Sequence, residues 1–186
     1  LICNAEPGDY KIIDRNRNNI IDDDDRDFVG QTTPQFFGSF SNTFKSHGFD
    51  LTIFLTYAGG HKIYNPFAYL DSYSPSANMR PDYYHNYWTP ERPSNKYPRL
   101  GSTNSQLYET DGMYQKGDYI RLKNLELGYT LPRNIANKVY ASNIRVYASV
   151  QNLVTFTKYT GFDVETSNAN PYPACRVFMG GLTVNF

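Results

Sequence analysis

The residues best suited to chemistry lie in one short run, DRNRNNIIDDDD, from Asp14 to Asp25. Five acidic groups fall within these twelve residues, in a chain whose 18 basic and 18 acidic side chains cancel. A hard divalent cation replaces its hydration shell with oxygens from positions 1, 3, 5, 7, 9 and 12 of such a loop. Asp14, Asn16 and Asn18 take the first three places, Ile20 offers its backbone carbonyl, and Asp22 and Asp25 complete the register. Ile21 stands where these loops anchor an apolar side chain. Three features depart from the pattern. Asn19 replaces the usual Gly, Asp25 reaches less far than Glu (as in dockerin-type loops), and Arg15 and Arg17 dilute the negative charge. Structural calcium is the expectation, against a metal-free loop held by Asx-type turns; in either case Asp23 and Asp24 face water.

The second chemically suggestive stretch runs from 59 to 116 and holds nine of the 17 Tyr and the single Trp. Tyr64, Tyr69, Tyr73, Tyr83, Tyr84, Tyr87 and Trp88 present flat amphipathic faces that suit sugar stacking or a protein partner. They equally suit burying one another, because a loop of 58 residues needs an internal reason to be ordered. Catalysis finds no support. His47, His61 and His85 lack metal-ligand spacing, Gly59-Gly60 is no phosphate loop, and the acidic run has no apolar pocket to raise a carboxyl pKa. An enzyme is not expected, and a balanced charge gives no reason to expect nucleic acid.

The elements that must position these residues show a period of two. Phe49, Leu51, Ile53, Leu55 and Tyr57 share one parity and Asp50, Thr52, Thr56 and Ala58 the other, with Phe54 as the exception. Phe36, Phe40 and Phe44 alternate with Ser39, Ser41, Thr43 and Lys45, and Lys45-Ser46-His47-Gly48 closes a hairpin between the two runs. Ile144, Val146, Ala148 and Val150 alternate with Arg145, Tyr147, Ser149 and Gln151; Phe178, Leu182, Val184 and Phe186 end the chain on one face. Between 117 and 132, Ile120 and Leu122 hold one parity while Leu125, Leu127 and Tyr129 hold the other, which predicts a bulge near Lys123 and Asn124. No apolar run approaches the roughly 20 residues of a membrane-spanning helix.

Two architectures produce one-sided strands: a soluble β-sandwich, and a membrane barrel that is apolar outside and polar inside. Connections that alternate very short or moderate (45 to 48, 131 to 143) with long (59 to 116, 158 to 173) favour the barrel. The terminal strand agrees, since Gly181, Val184 and Phe186 fit an aromatic-ended outer-membrane assembly signal, although Met179 stands where a polar residue is more usual. Five strands are fewer than the roughly eight that close a barrel, and Leu1 is no initiator Met, so the chain reads as an interior or mature fragment. Cys3 and Cys175 leave a disulfide open.

The blocks PGDYKIIDRNRNNIIDDDDR, GFDLTIFL, YWTPERPSNKYPRL, GDYIRLKNLELGYTLP and RVYASVQNLVTFTKYTGFDVE, in that order, resemble the C-terminal portion of SusC/RagA-type TonB-dependent outer-membrane transporters. The resemblance runs from about residue 7 to Phe186. It implies an all-β, antiparallel transmembrane barrel of about 22 strands, of which this chain holds about the last five, with a plug domain outside the present sequence. It further implies the outer membrane of a Gram-negative bacterium, contact with membrane lipid, energy delivered through TonB, a SusD-like surface lipoprotein as lid, and import of oligosaccharides or peptides. On this reading residues 1–34 are an extracellular loop with the calcium-like register, 35–58 a hairpin, 59–116 a Tyr-rich extracellular loop, and 117–186 the last three strands. Tyr57, Tyr129, Phe156 and Tyr159 then belong to interfacial girdles. The alternative is a secreted or surface β-sandwich that holds glycan or protein and carries a dockerin-like calcium loop.

Overall fold

A computed structural model describes residues 5–65, 81–102, 110–166 and 172–186. The chain divides into two units, Leu1–Gly30 with Tyr64–Gln115, and Gln31–Ile63 with Lys116–Phe186.

The second unit is built on one antiparallel sheet. Its strands are β1 (Phe36–Ser46), β2 (Phe49–Gly59), β7 (Tyr119–Thr130), β8 (Asn143–Thr157) and β9 (Val177–Asn185), hydrogen-bonded in the order β1-β2-β7-β8-β9. Two residues, His47 and Gly48, join β1 to β2, and both have positive φ, 49° and 85°. That is the type I′ geometry whose twist matches the flanking strands. The connection from β7 to β8 is a short helix, Arg133–Ala136, and a 3-10 turn, Asn137–Val139.

Register assigns each side chain to a face, because successive residues point to opposite sides. One row across the sheet reads Asn42, Ile53, Leu125, Val150, Phe178, and its neighbours read Phe44, Leu51, Leu127, Ala148, Gly180 and Phe40, Leu55, Leu122, Val154. Asn42 is the polar member of these three rows. Large apolar side chains on this face stay exposed: Phe40 53%, Leu127 50%, Phe178 74% and Leu182 63%. Buried residues of the unit include Arg121, Ser149 and Asp163 from the other side. A water-soluble domain hides the first set and shows the second; here the order is reversed.

The predicted bulge is present. Register shifts between Leu122 and Asn124 against β8, and between Phe54 and Leu55 against β2, so Lys123 is passed over by both neighbours. The offset keeps Leu122 and Leu125 on the same face despite their odd spacing. On β8 the compensating residue is Asn152, in the left-handed region at φ 53°. Phe54 stays on the polar side, opposite Asn124.

In the first unit the described residues form a 3-10 turn, Asp23–Asp25, a helix, Pro81–Asn86, and a parallel pair of short strands, β4 (Tyr87–Trp88) and β5 (Tyr97–Arg99). The short strands β3 (Lys62–Tyr64) and β6 (Tyr114–Lys116) pair as a further two-stranded sheet. The region from 59 to 116 is therefore not structureless, although its sequence shows no sustained periodicity.

Candidate functional site

The polar face of the five-stranded sheet concentrates the charge. Asp50 on β2, Glu126 on β7 and Arg145 on β8 meet across three strands. Arg145 Nε donates to Asp50 Oδ1 at 3.0 Å, and its Nη2 donates to Glu126 Oε1 at 2.7 Å and to Asp50 Oδ2. The guanidinium also lies 5.3 Å from the centre of the Tyr147 ring. Its planar fork meets two carboxylates at once, a geometry that the point charge of a lysine does not reproduce. Thr43 and Thr52 share a hydroxyl hydrogen bond at 3.0 Å, and an open hollow beside the His47 turn is lined by Lys45, Asp50, Thr52 and Arg145.

Farther from that turn a second network sits on the same face. Arg121 spends all three guanidinium nitrogens: Nε on Thr155 Oγ1 at 2.8 Å, Nη1 on Glu165 at 2.5 Å and Nη2 on Asp163 at 2.8 Å. Lys123 adds a contact to Glu165 at 2.6 Å. Sequence reading places Arg145, Thr52, Ser149 and Gln151 on the polar parity, yet misses Asp50, Glu126 and Arg121 as partners. The available signal was charge within one-sided strands, where it is costly unless paired.

The acidic loop is ordered by its own backbone. Asp14 accepts the amides of Asn18 (3.2 Å) and Asn19 (2.7 Å), Asn16 accepts Asn18 (2.9 Å), and Asn18 accepts Ile20 (2.7 Å). Asp22 accepts Asp24 at 3.0 Å and caps the 3-10 turn, while Asp25 returns to the amides of Arg15 at 2.7 Å and Asp22 at 3.1 Å. These amides, Asp22 first and Arg15 next, hold the Asp25 carboxyl below its usual value. Asn19 adopts φ 63°, the role glycine usually fills, and Arg17 adopts φ 60°. Asp23 and Asp24 are exposed, with Asp23 paired to Arg26 at 2.9 Å. Among the described residues no three acidic, His or Cys side chains converge for a metal ion. Toward a hard cation the predicted register offers the carboxylates of Asp14, Asp22 and Asp25 and only neutral oxygens besides, from Asn16, Asn18 and the Ile20 carbonyl.

The aromatic residues divide. Tyr83 is buried and donates from its hydroxyl to the Pro98 carbonyl at 3.1 Å, and its ring meets Tyr97 and Tyr87 at centroid distances of 5.1 and 6.3 Å. Tyr64 packs on Tyr114 at 5.4 Å. The Trp88 ring covers Gly8 so closely that a Cβ there would fall 2.3 Å from it. Tyr84 is 58% exposed, its ring 5.3 Å from His85 and 6.4 Å from Tyr87, while Tyr69 and Tyr73 lie outside the described residues.

Gly8 is part of a longer tie between two of the quoted blocks. Asp9 accepts Arg99 Nε at 2.8 Å, Glu6 accepts Arg99 Nη2 at 2.8 Å, the Gly8 carbonyl accepts the Arg99 amide at 2.8 Å, and Tyr10 donates to the Lys96 carbonyl at 3.2 Å. PGDY and KYPR, some 90 residues apart, are one contact surface.

At the end of the chain Val184 lies on the apolar face and Gly181 on the polar face, where the Tyr147 ring fills the space above it. Tyr57, Tyr129 and Phe156 are on the apolar face near strand ends; Tyr159 lies in the loop after β8, its ring over Gly161. Cys175 is exposed, and Cys3 lies outside the described residues.

No family model matches the chain. Among curated proteins it is 33% identical over 98% of its length to TonB-dependent receptor P3 of Formosa agariphila, and 27% identical over 98% to the TonB-dependent receptor SusC of Bacteroides thetaiotaomicron. It spans 19% and 18% of those two receptors. Among solved structures it matches a RagAB peptide transporter with a TM-score of 0.71 and 28% identity, over 83% of this chain and 17% of that one. The RagAB peptide importer in its open-open state matches with a TM-score of 0.68. These relatives are receptors and transporters. Sequence, one-sided antiparallel sheet and structural match together place the chain in the SusC/RagA-type TonB-dependent receptors, where it corresponds to the C-terminal portion and forms part of the β-barrel wall.

Proposed function

We propose that the chain serves in an outer-membrane importer of a Gram-negative bacterium, taking up oligosaccharides or peptides with energy from TonB and with a SusD-like surface lipoprotein as lid. The carrying observation is the inverted sheet, with Phe40, Leu127, Phe178 and Leu182 exposed on one face and Asp50, Arg121, Glu126 and Arg145 paired on the other. Lipid solvates the first face and a water-filled lumen the second. A sandwich would have to cover those apolar side chains with an opposing sheet.

On this reading the His47 turn is periplasmic, and the first unit, with Tyr84 exposed, meets the lid. Calcium in the Asp14–Asp25 loop is part of the proposal, held by Asp14, Asn16, Asn18, the Ile20 carbonyl, Asp22 and Asp25 to stiffen that loop. The test is the full-length receptor in its own host. It should fractionate with outer membranes and migrate faster unheated than boiled, and its deletion should abolish growth on one class of substrate, glycan or peptide. Recovery as a soluble protein without detergent would refute the importer reading.

A further inference from the structure

The described parts of the connection from β8 to β9 are tied to the sheet. Asp163 accepts Arg121 Nη2 at 2.8 Å together with the Glu165 amide at 2.9 Å and the Ala174 amide at 3.0 Å. One carboxylate thus fastens both limbs of the connection to β7. Glu165 accepts from Arg121 (2.5 Å), Lys123 (2.6 Å) and the Tyr119 hydroxyl (3.3 Å). Tyr119 and Arg121 stand opposite Thr157 and Thr155, on the face turned away from Ile120, Leu122, Val154 and Phe156. The turn therefore lies over the polar face. Side chains of Arg121 and Asp163 are only 5% and 4% exposed, and a cavity of about 210 Å³ remains between turn and strands, lined by Asn152, Thr155, Phe162, Asp163 and Arg176 among others.

A buried ion pair holds a geometry only if its remaining donors and acceptors are satisfied. Arg121 uses every nitrogen, and both Asp163 oxygens accept hydrogen bonds, so the joint is a fixed one. We propose that the Phe162–Glu165 turn is a permanent inward step on the channel-facing wall, narrowing the substrate path beside β7 and β8, with Arg121 as its positioning residue. This rests on the importer reading, which makes the polar face the channel side.

Cys175, next to the Ala174 amide that Asp163 holds, is the reporter. In purified full-length receptor with its other cysteines replaced by Ser, a small maleimide should react with Cys175 faster than a maleimide on a long polyethylene glycol chain, by on the order of tenfold, because access limits the bulky reagent. Arg121→Met should bring the two rates together; Asp163→Asn provides the milder break if Arg121→Met fails to assemble. Equal rates in the parent protein, or an unchanged ratio in an assembled variant, would overturn the inward step. Heat-modifiable migration of the same samples separates the two ideas. Its loss in the parent strikes the importer reading, whereas equal rates in a heat-modifiable barrel strike the step alone.

Discussion

Leu125→Arg tests the face assignment most directly. Leu125 is the seventh of twelve residues in β7, with Ile53 and Val150 on either side of it in the apolar row. A strand rising about 3.4 Å per residue and tilted about 45° gains about 2.4 Å of height per residue, so twelve residues cover about 29 Å, close to the apolar band of a barrel. Leu125 thus sits near the midplane, where a lipid-facing arginine costs about 2–4 kcal/mol. That corresponds to a loss of about 30- to 900-fold in the folding equilibrium. Leu127→Arg, about 5 Å nearer the His47 turn, should cost less, since the penalty falls toward the interface. Thr43→Arg, on the polar face, gives up the hydroxyl bond to Thr52 and should cost only about 1 kcal/mol. The assay is denaturant unfolding of the full-length receptor in lipid vesicles, followed by tryptophan fluorescence. Equal costs for Leu125→Arg and Thr43→Arg would refute the face assignment, and a cost at Leu127 above that at Leu125 would refute the depth.

Asn42 stands in the apolar row beside Ile53, so Asn42→Leu should stabilise the barrel in the same unfolding assay, by about 1–2 kcal/mol, if lipid covers it. Asp14→Ala removes two amide acceptors and should increase proteolysis within residues 14–25 even in chelator; added calcium should protect the parent loop and not the variant if the mixed site binds the ion. For Asp9, burial would raise the carboxyl, but the Arg99 guanidinium and the Glu6 amide outweigh it and hold its pKa below the ordinary 3.8. A depressed carboxyl stabilises fully above that value and loses its contribution as pH falls through the lower folded one. Protection of the Arg99 amide against hydrogen exchange, relative to its intrinsic rate, should therefore hold down to about pH 4 and fall below it, and Asp9→Asn should show the lower protection at neutral pH.

Strand faces were legible because the period-two pattern survives in the residues themselves. Even the bulge at Lys123 announced itself, through the odd spacing of Leu122 and Leu125. Its counterpart did not: nothing in Gln151-Asn152-Leu153 signals that Asn152 turns left-handed, since that requirement arises only once β7 and β8 are paired. The Asx turns of the acidic run follow from Asp and Asn at alternate positions, which bond the backbone two residues ahead. Long-range ties were not legible. Asp9 and Arg99 lie in two conspicuous blocks, yet a sequence gives no distance between them, and the same holds for Arg121 and Asp163. Burial of Tyr83 beside an exposed Tyr84 was equally hidden, because only the fold decides which ring of a pair turns inward.

Gly128 lies beneath the Arg145 guanidinium, where a Cβ would approach within 2.3 Å of Nη2. The colliding atoms are the far end of a flexible side chain, so an alanine there would displace the arginine instead of the strand. Arg145 would then be drawn from Asp50 and Glu126, and two carboxylates on neighbouring strands would face each other with less compensation. A substitution that alters no charge and adds one methyl group would act as an electrostatic mutation. In this wall the empty space above a glycine is what allows a cation to bridge three strands, and selection on ion balance should reach a residue that carries no ion.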